Sequence, residues 1–362
     1  MGAMVGVGLG LVMVLADRSV LPGLVTPFSR AFISLTPLGF LAVLIFCMYL
    51  GIAIHETGHL IFGLLAGLRF NFISFGPLLI NREFKASLHW KRRTGAGGVT
   101  SMVPNGSDRL RSRLLFMILG GPLANLISAA VALVLKSGSG SFASALSGFI
   151  MISATMGLAN LIPFRSASSV SDGRRIWFLL SYGRKGARWL ALIQLGGALI
   201  DGTEPDRLDK AMLKASISFT DNSPDTVAAH SLAYMAAFAD HQDDQAARLL
   251  ETCLAFCRFT APSGRESLFI SAAVFQARRR RRTDLAEQWL AAVPASTRTP
   301  GLRPQAEAAI LEAQGNIEQA LFKLEESIEA SNAIAQPSLR TVSLALLKRW
   351  EKELSEKALA AQ

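Results

Sequence analysis

The sequence predicts an α-helical polytopic membrane protein with a small β element between its transmembrane helices, followed by an all-α, helix-pair soluble domain. Three observations predict it. Long uncharged apolar runs are confined to roughly the first 200 residues. A stretch of period-two alternation interrupts those runs. From about Glu204 onward the chain turns to Ala, Leu, Glu, Arg and Gln, with turn signals recurring between amphipathic segments. On this reading residues 1–204 form a membrane domain and residues 205–362 a soluble, repeat-like one.

The elements follow in order. Met1–Ala16 is apolar and precedes Asp17-Arg18. It lacks a basic leader region, so it reads as a short membrane helix rather than a signal peptide. Ala31–Ile54 holds no charged residue and the apolar pattern continues to Leu68, giving a membrane helix over 37–67. Residues 70–103 change character. Phe84, Ala86, Leu88 and Trp90 alternate with Lys85, Ser87, His89 and Lys91, the mark of a half-buried strand. Two further spans are expected at 114–135, with Gly120-Gly121-Pro122 in its middle, and at 141–162. A Ser-rich loop over 163–175 carries Asp172-Gly173. Trp189–Ile200 is apolar but short, which suits an interfacial helix. The count is four spans.

Charge gives the topology. The net charge is +10. Residues 66–113 hold nine Lys/Arg against Glu83 and Asp108, and residues 163–188 hold six against Asp172 alone. Basic loops beside apolar spans read as cytoplasmic, with anionic lipid rather than nucleic acid as their counterpart. The expected localisation is an integral, multi-pass membrane protein whose basic loops and C-terminal domain are cytoplasmic. The three cysteines, Cys47, Cys253 and Cys257, read as reduced thiols rather than as a metal or disulfide set.

In the soluble half three turns recur, at Asp240-His241-Gln242-Asp243, Arg281-Arg282-Thr283-Asp284 and Gln314-Gly315-Asn316. Each precedes a helix with an early alanine, Ala246, Ala286 or Ala320, and the spacings of 40 and 34 residues are near those of tetratricopeptide-type repeats. The basic run Arg278–Arg282 at one turn reads as a solvated or lipid-facing surface.

The chemistry lies in His55-Glu56-Thr57-Gly58-His59. On a helix, residues four apart share a face, so both imidazoles reach one metal ion, and Glu56 can hydrogen-bond a water there without being a ligand. Ionisable groups inside an apolar helix cost about 2.5 kcal/mol or more and persist where they have partners or function. Catalytic zinc takes three protein ligands and leaves a position for water. Among the acids of the membrane half, Asp172 stands out, following the span that ends at Asn160-Leu161-Ile162-Pro163. The same Asp could instead cap the helix that begins at Asp-Gly-Arg-Arg-Ile.

These residues together resemble the site-2 protease family of intramembrane zinc metalloproteases. The HExxH lies in a hydrophobic helix, Gly121-Pro122-Leu123-Ala124-Asn125 is similar to the family's Gly-Pro-x-x-Asn element, and Asn160-Leu161-Ile162-Pro163 with Asp172-Gly173 is similar to its Asn-x-x-Pro…Asp-Gly motif. The resemblance covers roughly residues 37–180. It implies one zinc ion per chain held by His55, His59 and Asp172, with Glu56 as the general base that activates the attacking water. It implies that Asn160 and Asn125 contact substrate, and that the 70–103 strands align an unwound segment of a membrane-spanning protein substrate. One departure stands out: Asp172 lies twelve residues after Asn160, so the Ser-rich loop must fold back to reach the metal. His55 precedes Arg69 by fourteen residues, or about 21 Å of helix, which puts the metal within the bilayer. The C-terminal helical domain is expected to bind a protein partner. The competing reading is a membrane-anchored adaptor whose helical repeats do the work. A metal transporter is a further one, but no second HExxH-like copy is present.

Overall fold

The computed structural model describes residues 37–88, 97–136, 141–165, 170–295, 301–334 and 337–360. The helix expected at Met1–Ala16, and the end of the alternating stretch from His89, lie outside the described residues. By its internal contacts the chain divides into two units, Met1–Gly186 and Ala187–Gln362.

In the first unit, helices α1 (Pro37–Leu65), α2 (Leu110–Leu135) and α3 (Ser141–Leu161) are long and apolar enough to cross a membrane. Their polarity is inside-out. Phe46 and Val134 are 65% and 85% exposed, while Asn125 and Ser153 are fully buried between helices. Lipid tails offer no hydrophobic drive between helices, so such spans associate through small residues and close backbone approach. A Cβ added at Gly58 on α1 would collide with Gly120 O on α2, and one at Gly120 would lie 2.5 Å from Gly58 O. Cys47, Ala129, Ala132, Phe149 and Ile150 fill the rest of the three-helix seam.

Helix α1 ends because Gly67 takes φ +74. Leu68 N–H then donates to Gly63 O and Gly67 N–H to Leu64 O, a Schellman cap. Arg113, on the first turns of α2, donates to the Ala66 and Gly67 carbonyls and pins this corner. The chain leaves it as β1 (Arg69–Phe75), followed by β2 (Leu78–Asn81), β3 (Ala86–Leu88) and β4 (Gly98–Val103), an antiparallel sheet of order β3-β2-β1-β4. Gly76, at φ +59, supplies the two-residue turn between β1 and β2. The strand expected from Phe84 onward begins only at Ala86. Asn81 Oδ1 accepts from the Glu83 and Lys85 N–H groups, and Phe84 takes φ 56, so a side-chain-capped turn replaces the first two residues of the alternation.

After α3 the chain folds back through an antiparallel bridge, Arg165 to Val170, into the short helix α4 (Asp172–Leu180). Arg111 on α2 donates to Leu179 O at its far end and stacks on the Tyr182 ring at 4.0 Å.

Helix α5 (Arg184–Ile200) begins at the division between the units. Its apolar face is not interfacial, as the sequence reading had it. Leu195 and Leu199 join a core with Leu213, Tyr234, Leu250 and Phe275, so soluble helices cover that face. For the same reason the division by contacts falls earlier than residue 204. Helix α6 (Lys210–Ser216) follows, and then helix pairs: α7 (Pro224–Ala239) with α8 (Asp243–Phe256), α9 (Pro262–Arg280) with α10 (Thr283–Ala291), and α11 (Leu302–Ala313) with α12 (Ile317–Asn332), closed by α13 (Pro337–Ala360). The three recurring turns are alike: His241, Arg281 and Gly315 all take left-handed φ values. Ala246, Ala286 and Ala320 are each fully buried where the next helix crosses.

The basic run Arg278–Arg282 is solvated, as the sequence suggested, only over Arg280–Arg282, which are exposed; Arg278 and Arg279 are largely covered, and the run as a whole is paired. Arg278 binds Glu312 and Glu353, Arg279 meets His241 and Asp243, Arg280 binds Asp244, Arg281 donates to Glu312 O, and Arg282 binds Asp284. The run ties three helix pairs together because it sits where their turns converge. Cys47 and Cys253 are buried free thiols and Cys257 is partly exposed.

Candidate metal centre

His55 and His59 lie one turn apart on α1, and both side chains turn inward, 6% and 7% exposed. Their rings meet edge to face with centroids 4.7 Å apart. The two Nε2 atoms stand 3.2 Å apart. Asp172, the first residue of α4, completes the group. Its Oδ2 is 3.0 Å from His55 Nε2 and its Oδ1 3.6 Å from His59 Nε2. The cap of α4 is not Asp172 but Ser171, whose Oγ accepts from Arg174 N–H.

The fit to a metal can be tested on these distances. Ligand atoms about 2.0–2.1 Å from a tetrahedral ion stand about 3.3 Å from one another. The two Nε2 atoms at 3.2 Å match that edge; Asp172 turns one oxygen to each imidazole, at 3.0 and 3.6 Å, and with one ligand atom taken per residue the three lie within 4.8 Å of one another. His59 Nδ1 lies 3.0 Å from Met117 O, a contact that needs the proton on Nδ1 and leaves the Nε2 lone pair toward the site. Gly121 N–H approaches the same Nδ1 at the longer distance of 3.3 Å. Among the described residues, this is the one cluster of three or more His, Cys, Asp or Glu groups close enough to share an ion.

Glycine makes room for it. A Cβ at Gly121 would collide with the His59 ring and lie 2.8 Å from His55 Nε2. The Gly-Pro pair of α2 therefore faces the ligands. A Cβ at Gly173 would collide with the Leu161 carbonyl, so the Asp-Gly turn packs directly on the end of α3.

Glu56 is 7% exposed and turns to the sheet. Thr100 Oγ1 on β4 donates to Glu56 Oε2 at 2.7 Å and stands 2.9 Å from its carbonyl oxygen. Gly98 passes so close that a Cβ there would lie 2.5 Å from Glu56 Cγ. Thr100, Gly98 and Ser171 escaped the sequence reading, because a threonine or serine beside glycines carries no signature until its neighbour in space is known.

The two asparagines fare differently. Asn125 is fully buried on α2, one turn beyond Gly121 and on the same face, and neither atom of its amide has a hydrogen-bond partner among the described residues. Asn160 is half-buried in the last turn of α3.

Two buried histidines on a membrane-length helix, met by a carboxylate from the short helix that follows the third such helix, form a group that could hold a metal ion in a chain of membrane-protein class. Over residues 43–146 the chain matches the family model of Peptidase family M50, the site-2 proteases. The match takes in His55, Glu56, His59 and Gly121–Asn125 and stops before Asn160 and Asp172. No curated protein and no solved structure matches the chain.

Proposed function

We propose that this chain is an intramembrane zinc metalloprotease that hydrolyses peptide bonds of membrane-spanning protein substrates. The observation that carries the reading is the convergence of His55, His59 and Asp172, with Glu56 adjoining, where the two histidines and Glu56 lie in the segment matched to Peptidase family M50 and Asp172 is brought to them by the fold. His55, His59 and Asp172 would hold one zinc ion. When bound, it would polarise a carbonyl and make water a nucleophile near neutral pH.

Glu56 would take the proton from the attacking water and hand it to the leaving amine. The Thr100 hydroxyl occupies one carboxylate oxygen, which leaves the other to move that proton. Asn125, with its amide unpaired, and Asn160 would contact substrate. A helical substrate hides its scissile carbonyl in the helix ladder. Among the described residues β4 is an edge strand in the order β3-β2-β1-β4, and its outer edge would receive the unwound segment as an added strand. The basic loops and the C-terminal helices would face the cytoplasm, and those helices would hold a protein partner.

The test is cleavage of single-span membrane proteins in liposomes by wild type and Glu56→Gln, with zinc content measured on both. Cleavage by wild type alone, at equal zinc content, is expected. A Glu56→Gln variant that cuts as well as wild type would overturn the role of Glu56. Wild type that holds no zinc would overturn the metalloprotease reading and favour the adaptor one.

A further inference from the structure

Two of the three proposed ligands need no help. His55 and His59 are set by the pitch of one helix. The third reaches the site through a loop longer than the motif it resembles, and loop freedom works against an ordered ligand.

What orders it is the residue before it. Ser171 is 5% exposed. Its Oγ lies 2.8 Å from Ile162 O and 3.1 Å from Phe164 O, and it faces the Phe164 and Arg174 N–H groups at 3.0 and 3.2 Å. A hydroxyl has one proton to give and two lone pairs. Given to Ile162 O, with the lone pairs taken by the two N–H groups, its capacity is filled. The end of α3, the foot of the loop and the first turn of α4 thus meet at one oxygen. The backbone repeats the connection: Ser171 N–H donates to Phe164 O at 3.2 Å, next to the Arg165–Val170 bridge. On the other flank Gly173 rests on Leu161 O.

We infer that Ser171 is a positioning residue for the metal: its hydroxyl joint between α3 and α4 holds the Asp172 carboxylate against the two imidazoles and so sets metal affinity. This rests on the metalloprotease reading above. An ordinary helix cap would need only the Arg174 contact. The bond to Ile162 O anchors α4 to the membrane helix rather than merely starting it. Partners that orient a ligand without touching the ion are worth about 10–100-fold in metal affinity.

The test is the zinc dissociation constant of the full chain in detergent, by chelator competition, with cobalt absorption as the readout of coordination. Ser171→Ala is expected to bind about tenfold more weakly and to alter the cobalt spectrum. Ser171→Thr, which keeps the hydroxyl, should restore both. Ser147→Ala removes another buried hydroxyl, one that donates within its own helix to Ala143 O, and should leave affinity unchanged. Should Ser171→Ala fail to fold, Ser171→Cys, a weaker donor of similar size, is expected to move affinity the same way. Wild-type affinity and spectrum in Ser171→Ala, or in Ser171→Cys if that replaces it, would overturn the inference alone. Absence of zinc from wild type would instead remove the reading beneath it.

Discussion

Thr100 Oγ1 stands 2.7 Å from Glu56 Oε2, so the side chain proposed as the base is held by the edge strand rather than by its own helix. A hydrogen bond to a charged group contributes about 1.5–3 kcal/mol. Thr100→Val should lower turnover about tenfold, since 1.4 kcal/mol is a factor of ten. Zinc content should not change, and Thr100→Ser should recover most of the loss. Full turnover in the valine variant would separate the sheet from the chemistry.

Gly121→Ala puts a carbon into the ligand group, against the His59 ring and 2.8 Å from His55 Nε2. Zinc should be lost or bound more than tenfold more weakly, as for other changes that displace a ligand. Gly196→Ala, where nothing lies within 4 Å of the added carbon, serves as the comparison and should retain its metal. Metal analysis of the two purified proteins checks it.

Glu312 is 4% exposed and accepts from Arg278 Nε at 2.9 Å, Trp350 Nε1 at 2.9 Å and Lys357 Nζ at 2.6 Å. Burial pushes its carboxyl up, but the Arg278 charge and the hydrogen bonds from Lys357 and Trp350 outweigh this and hold it below the usual carboxylate range. A carboxylate lowered in the folded state contributes stability above its unfolded value of about 4.3, and that stability is lost as pH falls through the lowered value. Amide protection in α11 and α12, relative to the unfolded chain at the same pH, should therefore fall below about pH 4 in wild type. Glu312→Gln should lower it already at neutral pH, by about 3 kcal/mol for breaking a buried pair, and flatten the dependence. Equal exchange in both proteins at neutral pH would remove Glu312 as the organising charge.

Ala286 has no exposed surface where α10 crosses its neighbours. Ala286→Leu should destabilise the C-terminal unit by about 1–3 kcal/mol, the usual effect of overfilling a packed crossing. Thermal unfolding followed by circular dichroism reads it. The same change at an exposed site such as Ala187 should do little.

Much of this architecture was legible from residue order. Apolar runs gave the three described spans, and the four-residue interval of His55 and His59 gave a shared face. The turns at His241, Arg281 and Gly315 were readable because a left-handed residue and a buried alanine recur together. The readings of α5 and of Arg278 and Arg279 failed for one physical reason. They were judged by composition, while their partners come from distant helices; Arg280–Arg282 are exposed as read. Leu195 packs with Phe275, and Arg278 pairs with Glu353. The connection of Asp172 to the histidines was open at the level of the residues, since an aspartate before glycine also starts helices. Its neighbour Ser171 takes the cap, which frees the carboxylate for the site.

The spans differ in length. The span-capable stretch is 25 residues long in α1 and 26 in α2, but 20 in α3. At 1.5 Å per residue the first two run about 37–39 Å and the third about 30 Å, against a hydrocarbon layer of about 30 Å. The excess must be taken up by leaning the long helices or by thickening the surrounding lipid. Because Gly58 and Gly120 lock α1 to α2 backbone against backbone, the two would lean as one body. His55 and His59 would then tilt with that pair while Asp172 hangs from the end of α3 through Ser171, so the thickness of the host membrane would act on the spacing of the ligands.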